Sequence, residues 1–180
     1  MSRGLALMPK IIQNVREQLL AEAKRQIKEF GYQKTTVRSV ASACGLGVGT
    51  VYNYFPSKDT LIASFLLVDW KNALANMQKS VSSNLQSTLK VVYDEIKAFS
   101  KRNEVLFSDK DASKSYSLSF PERHALLRSQ IAEIIKPTCE TAKTTDKNFL
   151  ASFVAESVLV WTIAGKEFED IFQVVQLLFK

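Results

Sequence analysis

Residues 48–54, Val-Gly-Thr-Val-Tyr-Asn-Tyr, combine side chains that read DNA bases with a spacing typical of one short helix. At about 100° per residue, Val51 and Phe55 point to one side of this helix. The other side carries only small or hydrogen-bonding residues, namely Gly49, Thr50, Tyr52 and Asn53. Asparagine pairs with both edge groups of adenine, and the methyl groups of Thr50 and Val48 suit the thymine methyl group. These residue types therefore predict contacts with a DNA duplex.

Two cations stand where helix electrostatics disfavours them. Arg38 follows the N-cap residue Thr36, and Lys58 follows the predicted N-cap Ser57, so each adds positive charge to a helix start that is already positive. A bound phosphate removes this conflict, and the hydroxyl groups of tyrosines suit phosphate oxygens as well. The alternative is that both side chains simply extend into solvent.

The elements that must position these residues are two short helices joined by a glycine turn. The first helix starts after Thr36 and has one apolar face, formed by Val37, Val40, Ala41 and Cys44. Gly45 supplies a left-handed turn residue, and Gly47 is an acceptable N-cap for the second helix. This is the arrangement of a helix-turn-helix, whose second helix lies in the major groove.

The segment resembles the DNA-binding domain of the tetracycline-repressor (TetR) family. The shared positions are Gly31-Tyr32, Thr35-Thr36-Val37, Ala41, Gly45-Leu46, Gly49-Thr50-Val51-Tyr52, Tyr54-Phe55, Ser57-Lys58 and Leu61, within about residues 12–66. The chain departs from the pattern at Gly47 and Val48, where a serine and a lysine are frequent, and at Tyr54, where histidine is frequent. The resemblance implies an all-α, one-component regulator, usually a repressor, that binds operators as a homodimer and leaves them when a small ligand binds.

We therefore expect an N-terminal helix-turn-helix domain over residues 1–56 and a larger helical regulatory and dimerisation domain over residues 57–180. The predicted DNA-binding residues are Thr36, Arg38, Gly47, Val48, Gly49, Thr50, Tyr52, Asn53, Tyr54 and Lys58. The partner is predicted to be double-stranded DNA with an inverted-repeat operator, because a two-fold dimer matches a palindromic site.

The charge distribution agrees with this interpretation. The 180 residues carry a net charge of +6. Residues 1–60 hold nine Lys or Arg against four Asp or Glu, which is net +5, whereas the remainder holds fifteen against fourteen, which is net +1. The basic part therefore coincides with the predicted DNA-binding segment, as neutralisation of phosphates requires.

The apolar periodicity predicts helices throughout, because no sustained alternation of β-branched residues occurs. The predicted helices cover about residues 10–30, with Gly31 as the stop, and then 57–79, 82–104, 121–134, 146–163 and 167–179. Residues 108–120 are rich in serine and charge, and they predict a loop. Pro137 is expected to stop or kink the helix before it.

The last two predicted helices carry more apolar residues than one core-facing stripe on each helix can hold. The resemblance implies that they form a four-helix interface with a second subunit. The predicted interface residues are Phe149, Phe153, Val160, Phe172, Val175 and Leu177. The alternative is that all of these residues belong to the core of one chain.

A small-molecule effector is expected between the helix at residues 57–79 and the helices that follow it. Aromatic and flexible apolar side chains build adaptable pockets. The predicted lining residues are Trp70, Met77, Phe99, Phe107, Tyr116, Leu127 and Ile131. Few charges are predicted on the inner faces, so we expect an apolar, aromatic or cationic effector, although ordinary core packing explains each residue equally well.

Other classes of function find little support. His124 has no Cys, Asp or Glu four residues away with which to form a metal or acid-base set, so we interpret it as a surface or satisfied histidine. Cys44 and Cys139 lack metal-ligand spacing, and no cofactor is predicted. No export or membrane segment is recognised, so we expect a cytoplasmic protein. A helical protein-interaction module without DNA-binding activity is the alternative, and a helical enzyme would need a polar constellation that is not found.

Overall fold

A computed structural model describes residues 14–80, 82–112, 120–140 and 142–179. Its helices are α1 (Val15–Lys34), α2 (Val37–Ala43), α3 (Val48–Tyr54), α4 (Lys58–Lys79), α5 (Leu85–Arg102), α6 (Glu104–Phe107), α7 (Phe120–Ile135), α8 (Lys147–Ile163) and α9 (Phe168–Val175). The described residues are otherwise turns and two 3-10 helices, Lys136–Cys139 and Gln176–Phe179. The all-α prediction is confirmed. The predicted helix start at Lys10 and the proposed effector contact Tyr116 lie outside the described residues.

The helix ends follow local signals in the sequence. Thr36 and Ser39 exchange backbone and side-chain hydrogen bonds of 2.9 and 3.0 Å at the start of α2. Ser57 and Thr60 do the same at the start of α4, with distances of 2.9 and 3.1 Å. These reciprocal caps satisfy N–H groups that the first turn leaves unpaired. Asp146 accepts from the backbone N–H of Phe149 at 2.8 Å and starts α8, as predicted.

Two glycines carry the turns that the sequence predicts. Gly31 has φ 81° and ψ 174°, which breaks the helical path inside α1, and one further turn follows to Lys34. Gly45 has φ 65°, and the next backbone N–H, that of Leu46, donates to the carbonyl of Ala41 at 2.9 Å. A left-handed residue at this point closes the end of α2 without strain only if it lacks a Cβ atom. The turn sets the angle between α2 and α3.

The buried side chains form two clusters. The N-terminal cluster contains residues of α1, α2 and α3, the first half of α4, and Leu106 and Ala112. The C-terminal cluster contains the second half of α4 together with α5, α7, α8 and α9. α4 therefore belongs to both parts. The N-terminal cluster crosses the proposed boundary at residues 56 and 57, because Leu61 and Phe65 of α4 pack in it.

The C-terminal part differs slightly from the sequence expectation. α7 ends at Ile135, one residue beyond the expected range, and Pro137 lies in the 3-10 helix that follows, so the predicted end of the α-helix before Pro137 is confirmed. The predicted last helix, however, is divided into α9 and a 3-10 turn. In the part of the chain that the structure describes, no helix is long and apolar enough to cross a bilayer.

Candidate nucleic-acid interface

α3 has the two faces that the sequence predicts. Val51 is fully buried and Phe55 is 2% exposed, so both anchor α3 on the N-terminal cluster. The opposite face is exposed and consists of Gly49, Thr50, Tyr52, Asn53 and Tyr54. A Cβ atom added at Gly49 would meet nothing within 4 Å, so the protein itself gives no packing reason for glycine there. The exposed face is uncharged and rich in hydrogen-bonding groups, as base contacts require.

A concave surface of about 490 Å³ joins the starts of three elements next to this face. Its lining residues are Thr36, Val37, Arg38, Val48, Tyr52, Pro56, Ser57 and Lys58. We call this surface the basic concavity. Arg38 and Lys58, which are 20 positions apart in the sequence, both contribute to it, and none of the described residues that line it is acidic. The concavity thus has the charge that a DNA phosphate would need.

Lys58 does not extend freely into the basic concavity. Its ammonium nitrogen lies 3.5 Å from the centroid of the Tyr32 ring and donates to the Tyr32 carbonyl oxygen. Burial is the main influence on this group, and it lowers the pKa of Lys58. A cation in the first turn of α4 faces the positive end of the helix, and the ring face and the carbonyl oxygen provide negative potential nearby. The ammonium group of Lys58 therefore already has favourable partners within the protein, namely the ring and the carbonyl oxygen of Tyr32.

Tyr32 connects this cation to the start of α4. Its hydroxyl group donates to Oδ1 of Asp59 at 2.8 Å, and its side chain is buried in the N-terminal cluster. Gly31 turns the chain so that Tyr32 packs inward after the main length of α1. The Gly-Tyr pair therefore positions Lys58, a role that the sequence motif alone does not reveal.

The proposed effector residues lie in and beside the C-terminal cluster. Trp70, Met77 and Ile131 are buried in it, whereas Phe99 and Leu127 are partly buried against it and Phe107 is exposed. The Trp70 and Phe99 ring centroids are 5.3 Å apart, and the Phe99 and Phe107 centroids are 5.8 Å apart. A ligand that contacts Trp70 or Ile131 must displace packed side chains, because protein interiors contain little free volume.

Sequence reasoning missed two polar partners in this region. The Trp70 indole N–H donates to Oε1 of Gln130 at 2.7 Å. Asp69 accepts from Lys24 of α1 at 2.5 and 2.6 Å, and the buried Asn103 amide lies 3.3 Å from Asp69 Oδ2. Asp69 stands alone in an apolar stretch of α4, and an isolated acid in such a stretch is a signal for a tertiary partner. This network connects α1 and α4 to the end of α5.

The last helices expose a large apolar surface. Phe149, Phe153, Val160 and Leu177 are exposed, and Phe172 is partly buried. Trp161, Ile163, Val174 and Leu178 add to the exposed apolar area. Val175 departs from the expectation: it is 2% exposed and packs in the C-terminal cluster of its own chain. It follows Ile171 by one helical turn and shares that residue's inward face, so its side chain is not part of the exposed surface.

The remaining candidates for chemistry have structural partners. Nε2 of His124 lies 2.9 Å from both carboxylate oxygens of Glu156, in agreement with a satisfied histidine. Cys44 and Cys139 are free thiols, and burial raises the pKa of each. A raised pKa reduces the thiolate fraction and hence the reactivity of a cysteine. Glu156 therefore satisfies His124, and burial disfavours the reactive thiolate form of both cysteines.

Capped helices, a glycine turn and an outward uncharged face define a helix-turn-helix protein. Residues 19–65 match the model described as bacterial regulatory proteins, tetR family. This N-terminal part of the chain is therefore a helix-turn-helix domain of the TetR family.

Two known proteins of similar sequence show how far the similarity extends. The HTH-type transcriptional regulator UidR of Escherichia coli is 29% identical over 69 residues, which cover 38% of this chain and 35% of UidR. The chain thus spans about a third of the length of that relative. The HTH-type transcriptional repressor Rv1474c of Mycobacterium tuberculosis is 25% identical over 146 residues, covering 77% of this chain and 76% of the relative.

The overall fold also has a solved counterpart. A TetR-family transcriptional regulator from Rhodococcus sp. superimposes with a TM-score of 0.63 at 18% identity, covering 92% of this chain and 98% of the other. At this identity the likeness concerns the fold. It extends through the C-terminal helices, beyond the residues that the family model matches.

Proposed function

We propose that the protein is a ligand-responsive transcriptional repressor that binds an inverted-repeat DNA operator as a homodimer. The observation that carries this proposal is the basic concavity beside the exposed face of α3. Arg38 and Lys58 in the concavity contribute positive charge, while Thr50 and Asn53 present hydrogen-bonding groups on the neighbouring face. Contacts with phosphates position a protein on the DNA, and contacts with base edges determine which sequence it binds.

We assign DNA binding to the N-terminal part of the chain, and effector binding and dimerisation to the C-terminal part. Residues 1–56 bind DNA together with Lys58 in the first turn of α4, and the rest of residues 57–180 binds the effector and forms the dimer. α4 transmits the effector's influence because its first half packs with α1 and its second half packs with α5 and α7. A protein whose partner is chromosomal DNA is expected in the cytoplasm of a bacterium.

The direct test is selection of duplexes from a random DNA pool, followed by a salt titration. Enrichment of an inverted repeat would support the proposed function. The logarithm of its binding constant should fall linearly with the logarithm of salt concentration, because phosphate contacts release counterions. No binding to any duplex at low salt would contradict it and favour a helical protein-interaction module, for which the exposed apolar surface of α8 is the supporting observation.

Lys58→Ala and Asn53→Ala should separate the two kinds of contact. We expect Lys58→Ala to weaken binding to all duplexes and to reduce the salt slope by about 1, since one phosphate contact is lost. Asn53→Ala should leave the slope unchanged and reduce discrimination at particular bases by about 1 to 3 kcal/mol. Fluorescence anisotropy with the selected duplex and a scrambled duplex measures both quantities. An unchanged affinity and slope for Lys58→Ala would contradict its phosphate role.

The proposed dimer is supported by the exposed apolar surface on α8 and beyond. Phe149 and Phe153 lie one turn apart on α8, and Val160 lies two turns further along the same face. A stripe of this kind is covered by a partner in stable oligomers. In a two-fold dimer, the two α3 helices should be about 34 to 36 Å apart, or a multiple of this, to reach successive major grooves.

The proposed effector is an apolar, aromatic or cationic molecule that contacts the aromatic chain of Trp70, Phe99 and Phe107. The packing of these rings means that binding must rearrange the C-terminal cluster rather than fill an open cavity. Because α4 carries Trp70 and continues to Lys58, a small tilt of α4 would change the spacing of the two recognition helices. A coupling of about 1 to 3 kcal/mol would change operator affinity by about 5- to 150-fold.

Phe99→Ala should make the effector at least about tenfold less potent, since an aromatic contact is lost. Release of operator DNA is measured with medium-chain fatty acids, alkylated aromatic compounds and quaternary ammonium compounds. Trp161→Phe leaves Trp70 as the fluorescent reporter of binding. Leu85→Ala, at the other end of α5 and also partly buried against the cluster, is the matched control and should keep the original potency. Release by small polar anions alone, unaffected by Phe99→Ala, would contradict this pocket.

A further inference from the structure

A segment of the C-terminal half packs on the DNA-binding part of the chain. Residues 104–112, which we call the acidic segment, follow α5, yet Leu106 and Ala112 are buried in the N-terminal cluster. The side-chain amide of Gln33 donates to the carboxylate of Asp111. Asp109 Oδ1 accepts from the backbone N–H groups of Asp111 and Ala112 at 2.9 and 3.0 Å, which fixes the local turn.

The acidic segment lies near the cation at the start of α4. Gln33, which binds Asp111, directly follows Tyr32, whose ring and carbonyl group hold the Lys58 ammonium. The carboxylates of Asp59, Asp109 and Asp111 favour the charged form of Lys58 and partly offset the burial that lowers its pKa. Two of these three acids thus come from beyond α5, about 50 residues along the chain from Lys58.

We propose that Asp109 and Asp111 are positioning residues that hold Lys58 against Tyr32 and thereby weaken its contact with a DNA phosphate. This inference rests on the proposed function, since it concerns the same phosphate contact. A carboxylate competes with a phosphate for one ammonium group, and it also repels the phosphate itself. The C-terminal half of the chain therefore limits the DNA affinity of the N-terminal half through charge, in addition to any effect of an effector.

The test is the double substitution Asp109→Asn/Asp111→Asn. Asparagine keeps an oxygen that can accept from Ala112 and from Gln33, so these described hydrogen bonds are retained while both charges are removed. We expect about threefold tighter binding with little change in the salt slope, because the phosphate contact that Lys58 already makes becomes stronger. The probes are a mixed-sequence duplex of about 30 bp and the duplex enriched by selection.

A matched control separates local from general charge effects. Asp94→Asn/Glu140→Gln changes the net charge by the same amount at two exposed positions of the C-terminal half. Asp94 pairs with Lys90 on the same helix, so its loss does not touch the DNA-binding part. This control should bind both duplexes with nearly the original affinity. An equal increase in DNA affinity for the control variant would overturn the proposal.

A double-mutant cycle with Lys58→Ala shows whether the acids act through Lys58. In the Lys58→Ala background, Asp109→Asn/Asp111→Asn should lose most of its threefold gain, because the cation that the acids restrain is absent. A gain that persists would show that the acids repel DNA directly, which overturns the positioning role. An absence of any gain in the original background overturns the proposal as well.

A measurement without DNA keeps this inference separate from the proposed function. The pKa of Lys58, followed by NMR of its ammonium group, should fall when Asp109 and Asp111 are neutralised, since two charges that favour the protonated form are lost. An unchanged pKa would mean that the acids do not act on Lys58. A protein that binds no duplex overturns the proposed function alone, and the titration still decides whether the contact exists.

Discussion

Phe153→Glu is expected to yield a folded monomer that binds the selected operator at least about 100-fold more weakly than the unsubstituted protein. Phe153 is 49% exposed in the isolated chain, so the substitution leaves the core of the subunit intact. In the proposed interface, the new carboxylate would be buried without a partner, which strongly opposes association. Each half-site would then be bound by a separate subunit, and the gain from joining two binding modules would be lost.

Sedimentation at micromolar concentration and anisotropy with the operator measure the two consequences. Phe30→Glu is the matched control for sedimentation, because Phe30 is 47% exposed but lies on α1, away from α8. It should remain a dimer, whereas Leu177→Glu should behave like Phe153→Glu. A folded monomer in the unsubstituted protein at this concentration would contradict the proposed dimer.

Phe55→Ala is expected to lower the free energy of unfolding by about 3 to 5 kcal/mol and to abolish tight DNA binding. Phe55 ends α3, is 2% exposed, and carries the Arg16 guanidinium 5.5 Å from its ring centroid. Its removal leaves a cavity beneath α3 that the neighbouring buried side chains fill only partly. The loss of function would therefore follow from loss of the α3 position rather than from loss of a contact with DNA.

Tyr54→Ala is the matched control, since Tyr54 adjoins Phe55 but is 45% exposed. We expect a change of less than about 1 kcal/mol in unfolding free energy, as at other surface positions. DNA binding should nevertheless weaken by about tenfold, because a hydrogen bond to a charged phosphate is lost. Chemical denaturation and anisotropy on both variants make the comparison. An equally large destabilisation by Tyr54→Ala would show that its side chain supports the fold instead.

The elements of the helix-turn-helix could be predicted because their signals are local. The caps at Thr36 and Ser57 join residues three positions apart, and the Gly45 turn closes within five residues. The inward and outward faces of α3 likewise follow from helical periodicity, and the structure places Val51 and Asn53 on the predicted sides. Such contacts depend on the dihedral angles of a few neighbouring residues, which side-chain type strongly biases.

Charge pairing over long distances could not be predicted in the same way. His124 has no acidic neighbour on its own helix, yet it meets Glu156 from α8. The carboxylate of Asp69 is likewise satisfied by Lys24 of α1 rather than by a neighbour on α4. Which of many charged residues become partners depends on the angles at which helices cross, and the pattern within one helix does not encode these angles.

The sequence by itself determined the helix-turn-helix, its uncharged outward face and the basic character of the N-terminal third, because each depends on local order or on composition. Only the tertiary structure decided that Arg38 and Lys58 line one concavity, that Lys58 rests on Tyr32, and that Val175 belongs to the core. It also brought Asp109 and Asp111 to the DNA-binding part. The physical reason is that such juxtapositions arise from the packing of whole helices against shared apolar clusters, where small differences in crossing angle select the neighbours of each side chain.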